Sequence, residues 1–231
     1  MVINEAIVLA GGLGTRLKEA VPDLPKCMAP INGHPFLYYL INHLQSEGIT
    51  NFVFALGNKS EVITQYLEEQ FPALPFKVSL ETKPLGTGGA IKLACEKVIE
   101  KSALVVNGDT LFKIHVEELI NFHTLTGAHC TLSLKCMEKF DRYGVVDVAD
   151  DNTISSFKEK AYYDFGLINA GVYALQVHKF LEEDFPERFS FEKDYLEALY
   201  DKRIMFGIEQ EGYFIDIGIP EDYEKAKADL T

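Results

Sequence analysis

The run Ala6–Ala10, AIVLA, is apolar at every position. A strand with one wet face alternates apolar and polar residues, so a run with no polar member belongs in a sheet covered on both sides. The next segments alternate in kind. Pro35 opens a predicted helix whose Phe36, Leu37, Leu40, Ile41 and Leu44 share one face, and Gly48 stops it. Asn51–Leu56 (NFVFAL) reads as a strand, and Ser60 as the cap of a helix carrying Val62, Ile63, Tyr66 and Leu67. Phe76–Leu80 reads as a strand, residues 87–100 as a helix, and residues 103–107 (ALVVN) as a third buried strand. Strands and helices in this order predict a mostly parallel sheet with helices on both faces. The second half is richer in strands, expected at residues 131–135, 145–148, 154–157, 168–175 and 203–208, with helices near 192–200 and after Pro220. The expected fold is α/β, a Rossmann-like three-layer sandwich with a mixed, mainly parallel sheet. With no repeat, low-complexity tract or linker, the 231 residues read as one domain.

Directly after the first strand comes LAGGLGTRL, residues 9–17. Successive backbone N–H groups in a Gly-rich turn make an anion cradle, because no Cβ holds a phosphate away. A Walker A loop would end in GK[ST], and this one ends Thr15-Arg16-Leu17. A dinucleotide fingerprint begun at Gly12 would need Gly or Ala where Leu17 stands. What remains is a Gly loop with its own Arg16, followed by Lys26 in PKCM. Arg offers a planar fork and Lys a point charge, a pairing suited to a triphosphate. Taken alone, the loop reads equally well as a tight turn with two solvated cations.

Two aspartates end apolar runs, Asp109 in VVNGD and Asp216 in FIDIGIP. The C-terminal ends of strands are where open α/β sheets bind ligands. Each aspartate alone is commonly a turn residue. Together they could hold Mg²⁺, which takes one or two carboxylates and fills its shell with water and phosphate oxygens.

Lys and Arg number 22 against 35 Asp and Glu, a formal net charge of −13. That balance argues against a nucleic-acid or anionic-membrane binder, both of which need a basic face. It leaves room for a small anion held by a few cations. The four cysteines, Cys27, Cys95, Cys130 and Cys136, form no CxxC pair. They read as reduced thiols, mostly buried, rather than as zinc ligands or a disulfide framework. No stretch approaches the roughly 18 apolar residues of a membrane span, and the N-terminal apolar run is too short for a signal sequence. A cytoplasmic protein is expected.

LAGGLGTRL followed by PKCM resembles the signature of the sugar-1-phosphate nucleotidyltransferases, whose usual form is PKPM; Cys27 replaces the second Pro, which would loosen the local backbone. That family joins a nucleoside triphosphate to a sugar 1-phosphate and releases pyrophosphate. The resemblance implies a nucleotide site of Leu9, Ala10, Gly11, Gly12, Gly14, Thr15, Arg16, Lys26, Glu81, Pro84, Gly86, Thr87 and Asp109. It implies metal ligation by Asp109 and Asp216, with Mg²⁺ as the cofactor. RYG (142–144), the EK pair Glu159–Lys160 and NAG (169–171) match the family's sugar elements. Gly144, Glu159 and Asn169 would then meet the sugar and Lys160 its phosphate; by itself an EK pair is commonly just exposed charge. Arg16, Lys26, Asp109 and Lys160 would be the catalytic groups.

The family's base pocket lies near ETKPLGTGGA, residues 81–90, where thymidylyl and uridylyl members usually place Gln at the position of Glu81. Guanine presents two donors, N1–H and N2–H₂, that a carboxylate can accept, so Glu81 leans the reading to GTP. MAPINGHPFL, PLGTGGAIK, NGDT and GYFIDIGIPEDY together most resemble the bacterial D-glycero-D-manno-heptose 1-phosphate guanylyltransferases. The alternatives keep the chemistry with another base or sugar (mannose 1-phosphate with GTP, glucose 1-phosphate with CTP, dTTP or UTP), or make the chain a non-catalytic nucleotide-sugar sensor. The chain ends soon after Asp222–Tyr223, so the C-terminal β-helix of many relatives is not expected. The partners implied are GTP or another nucleoside triphosphate and a sugar 1-phosphate, with no nucleic acid and no membrane; a homo-oligomer stays open.

Overall fold

The computed structural model describes residues 3–12, 21 and 23–230; Gly14, Thr15 and Arg16 of the Gly loop lie outside them. Seven strands form the central sheet, in the spatial order Met205–Glu209, Cys130–Phe140, Tyr163–Gln176, Ser102–Asn107, Glu5–Leu9, Asn51–Leu56, Phe76–Leu80. Tyr163–Gln176 is antiparallel to both neighbours, and the other pairings are parallel. The mixed, mainly parallel sheet expected from the sequence is the one observed.

The apolar first strand lies inside the sheet, between Ser102–Asn107 and Asn51–Leu56. Ala6 and Val8 join Phe52, Phe54, Leu104 and Val106 in the core on one face, and Ile7 joins Val53, Ala55, Ala103 and Val105 in the core on the other. Period-two alternation thus feeds two cores, which is why no polar residue is tolerated in the run. The Phe36–Ser46 helix buries Phe36, Leu37, Leu40, Ile41 and Leu44, the five residues of its predicted stripe. Each such side chain contributes about 1.5–3 kcal/mol relative to exposure. The helices Ser60–Gln70, Val116–Thr126 and Pro220–Asp229 cover the same face. Gly86–Cys95, Val177–Leu181 and a π-type turn over Phe191–Glu197 cover the other. Three layers result.

Several boundaries differ from the sequence expectation. Ser60 is the first residue of its helix rather than the cap; Lys59 is the cap, at φ +59°, with no side-chain cap bond. The helix expected over residues 87–100 starts at Gly86 and ends at Cys95. The segment expected as a helix near 192–200 is the π-type turn Phe191–Glu197, capped by the Ser190 side chain accepting from Lys193 N–H. Lys26–Met28 closes into a single 3₁₀ turn, with Met28 N–H on Pro25 O at 2.8 Å, and Cys27 packs into the core. Cys27 therefore fills core space and does not loosen the turn.

Two backbone features bring distant segments together at the strand ends. Thr110–Phe112 pairs antiparallel with Phe214–Asp216, setting Asp216 directly opposite Thr110. The ladder between Tyr163–Gln176 and Cys130–Phe140 shifts register between Asn169 and Tyr173. Bulges of this kind re-aim side chains beside functional sites. Gly171 supplies the positive φ, +73°, and a Cβ there would sit 2.6 Å from Asn107 Nδ2. The NAG and NGD segments therefore touch.

Candidate active site

Two adjoining cavities open at the C-terminal ends of the strands, of about 600 and 380 Å³. This is where the crevice of an open α/β sheet is expected. Leu9, Gly11, Gly12, Glu81, Pro84, Gly86, Thr87 and Asp109 line the larger one. Ala10 lies behind it, buried, with its N–H on Ala55 O at 2.9 Å. Gly144, Lys160, Asn169 and Asp216 line the smaller chamber, together with Tyr143 and Lys193. Glu159 is exposed and absent from its lining, and its backbone carbonyl accepts from the Tyr163 hydroxyl at 2.9 Å.

At the junction stands Lys26. Its Nζ lies 2.6 Å from Asp109 Oδ2 and 3.4 Å from Asp216 Oδ1. One aspartate belongs to each chamber, so a single cation ties the two together. Asp216 Oδ1 also accepts Gly218 N–H at 2.8 Å. The other oxygen, Oδ2, faces the Tyr143 hydroxyl at 3.5 Å and the Arg142 guanidinium at 3.9 Å, and Arg142 is itself paired with Asp222. Burial, then the Asp216 charge, pushes the Tyr143 hydroxyl up, so it stays a proton donor at neutral pH. Burial, then Asp109, pushes the Cys27 thiol up to about 12. Cys27 is thus a packing residue rather than a nucleophile.

The carboxylates fit a hard divalent cation. They already converge on one positive charge, and among the described residues no group of three or more His, Cys, Asp or Glu could cage an ion. A two-carboxylate set leaves most of the shell to water and substrate phosphate, which is the Mg²⁺ pattern.

Glu81 is partly committed. Its Oε2 accepts Leu85 N–H at 2.8 Å, fixing the entry to the Gly86–Cys95 helix. Oε1 has no partner among the described residues. Lys160 is exposed at the chamber wall and forms no ion pair among the described residues.

Some residues of the site were not singled out from the sequence, although Asn107 lies within the VVNGD motif. Asn107 and Glu192 line both chambers and form the partition between them. Glu192 sits in FEKD, which reads only as an acidic helix start. Arg142 was visible as part of RYG, but its grip on Asp222 and approach to Asp216 were not.

Comparison with known proteins agrees with this fold. Residues 5–231 match the family model described as nucleotidyl transferase. The chain is 43% identical to the D-glycero-alpha-D-manno-heptose 1-phosphate guanylyltransferase of Aneurinibacillus thermoaerophilus, over 98% of each chain. It is 44% identical to the enzyme of the same name from Campylobacter jejuni, over 95% of this chain and 96% of that one. Among solved structures, HddC from Yersinia pseudotuberculosis complexed with GMP-PN superposes with a TM-score of 0.88 at 34% identity, covering 99% of this chain and all of that one. The sheet and these matches point the same way. The chain belongs to the nucleotidyl transferase family.

Proposed function

We propose that this protein transfers the guanylyl group of GTP to D-glycero-α-D-manno-heptose 1-phosphate and releases pyrophosphate. The observation that carries the reading is the meeting of two chambers at Lys26, Asp109 and Asp216, which is what joining two phosphorylated substrates requires. The identity to two heptose 1-phosphate guanylyltransferases over nearly their full lengths supports the choice of substrates.

In this reading the nucleotide fills the larger chamber, over Leu9, Gly11 and Gly12, with Pro84, Gly86 and Thr87 opposite. Glu81 offers Oε1 and a remaining lone pair of Oε2 to guanine N1–H and N2–H₂. The sugar fills the smaller chamber, where Asn169 and the backbone at Gly144 meet it, Glu159 approaches from the rim and Lys160 pairs with its phosphate. A phosphate monoester has a second pKa of about 6, so the attacking oxygen is already ionised at pH 7 and needs no general base. That oxygen attacks the α-phosphorus of GTP, the bond from the α-phosphorus to the bridging oxygen breaks, and the pair of electrons leaves with pyrophosphate. Positioning and charge neutralisation therefore supply the catalysis. Lys26 neutralises charge beside the α-phosphate, and Arg16 holds the departing β- and γ-phosphates. Asp109 and Asp216 would hold Mg²⁺, which when bound supplies further neutralisation of the phosphate oxygens. Four free thiols, Cys27, Cys95, Cys130 and Cys136, support a reducing, cytoplasmic setting.

The test is pyrophosphate release across GTP, CTP, UTP, dTTP and ATP, each with heptose, mannose and glucose 1-phosphates, with and without Mg²⁺. GTP with the heptose 1-phosphate should have the highest kcat/KM, and only with Mg²⁺. A higher value for another base or sugar would replace the assignment, and silence across the panel would favour a nucleotide-sugar sensor.

A further inference from the structure

We propose that Glu192 is a further substrate-binding residue: its carboxylate, set in the partition between the two chambers, accepts a hydrogen bond from a hydroxyl of a bound substrate. The proposal rests on the two-substrate reading and adds a residue to it. Glu192 and Asn107 are the residues common to both chamber walls. A group there meets whichever part of the substrates lies nearest the transfer point.

The side chain is held in place on one oxygen and left open on the other. Glu192 Oε2 accepts from Thr87 Oγ1 at 2.6 Å and from Ser190 Oγ at 3.0 Å. Thr87 Oγ1 in turn accepts Phe191 N–H at 2.9 Å. Oε1 has no partner among the described residues, and the carboxylate forms no ion pair among them. That second oxygen is left open to a donor in the chambers.

The backbone explains why it stays there. Residues 187–192 are laid against the first turn of the Gly86–Cys95 helix, with Phe189 N–H on Leu85 O and Gly88 N–H on Phe189 O, both at 3.0 Å. That approach needs the glycines of GTGG. A Cβ on Gly86 would meet Phe189 O at 2.5 Å, one on Gly89 would meet Glu187 O at 2.5 Å, and one on Gly88 would enter the Phe189 ring. The Gly-rich stretch thus brings the chain carrying Glu192 against the nucleotide chamber.

The charge selects the ligand group. A carboxylate repels phosphate oxygens and accepts only from donors. Near the transfer point the donors on these substrates are the hydroxyls of the ribose and of the sugar.

Both sources share the chemistry, and deoxy substrates separate them. With the wild type, kcat/KM is compared for GTP against 2′-deoxy-GTP and 3′-deoxy-GTP, and for heptose 1-phosphate against its monodeoxy forms. The same series is run with Glu192→Ala and Glu192→Gln. One analogue should lose about tenfold or more with the wild type, as expected for a hydrogen bond to a charged acceptor. Glu192→Ala should lose a similar factor on the full substrates and become blind to that one hydroxyl. Glu192→Gln keeps an oxygen for Thr87 and Ser190, so its melting temperature should match the wild type while discrimination at the same hydroxyl shrinks. A sensitive ribose position assigns the nucleotide, and a sensitive sugar position assigns the sugar. If both variants lose activity equally on every analogue, discrimination being kept at all positions, Glu192 only holds the turn and the proposal fails. Wild-type turnover in the substrate panel tests the underlying reading separately, and the series is run with whichever pair that panel selects.

Discussion

Lys26 touches both carboxylates at the junction and is itself largely shielded from water. In the proposed reaction its charge would fall where negative charge is handed from one phosphate to another. Lys26→Met should lower kcat by about 10²–10³ with a smaller change in KM, by comparison with loss of a preorganised donor elsewhere. An unchanged kcat would remove Lys26 from the chemistry. Asp109→Asn keeps the shape of the side chain and removes its charge, so turnover should fall below detection while the circular dichroism spectrum and melting temperature stay close to those of the wild type. With guanine read by Glu81 as proposed, Glu81→Gln replaces an acceptor by a donor, and the ratio of kcat/KM for GTP over UTP should drop by about tenfold. A ratio that does not move would confine Glu81 to its bond with Leu85 N–H. At this scale residue types were legible in the sequence, and contacts were not. Lys26 and Asp109 stood out in PKCM and NGD, but the bonds joining Lys26 to the two aspartates span 83 and 190 residues, a distance no local pattern encodes.

The Gly86–Cys95 helix shows what an element's own sequence does and does not carry. Its glycines make it a poor helix by propensity, about 1 kcal/mol each relative to Ala. They are explained by the chain packed on it, 187–192, rather than by anything within the helix. Gly89→Ala should gain in propensity yet lose overall, by about 1–3 kcal/mol, because its Cβ would press on the Glu187 carbonyl. Chemical denaturation checks this, and a stabilised variant would show that the segment can shift. The Phe36–Ser46 helix is the contrasting case, since its stripe of five apolar residues is local and was fully readable. Glu192 lies between these extremes. Its partner Thr87 is 105 residues away, and without that contact FEKD looks like any solvated helix start.

At the scale of the whole molecule, the net charge of −13 describes the surface and says little about the cleft. In the proposed function Lys26 and Lys160 are local exceptions that would meet the substrates' phosphates, while the surrounding acid repels polyanions. Among the described residues no helix is long and apolar enough to cross a membrane. Three imidazoles contribute to the acid sensitivity of the fold. Burial holds His123 down to about 4, and it also lowers His43 and His129. The unfolded chain takes up protons at these positions below the ordinary histidine pKa of about 6.5 and the folded chain does so less readily, so their contribution to stability is full above that pH and, for His123, is lost as the pH falls toward 4. His123, whose Nδ1 lies 3.0 Å from Thr131 Oγ1, should account for up to about 3 kcal/mol of that loss. The slope of melting temperature between pH 6.5 and 4 should flatten in His123→Asn; an unchanged slope would move the titration elsewhere.

The transfer itself is tested most directly by following the α-phosphorus. With GTP carrying ³²P at the α-position, heptose 1-phosphate and Mg²⁺, the label should appear in a GDP-sugar in step with an equal amount of unlabelled pyrophosphate. Label released as GMP, or retained in GTP while the sugar phosphate is consumed, would contradict the joining of two substrates at the Lys26, Asp109 and Asp216 centre.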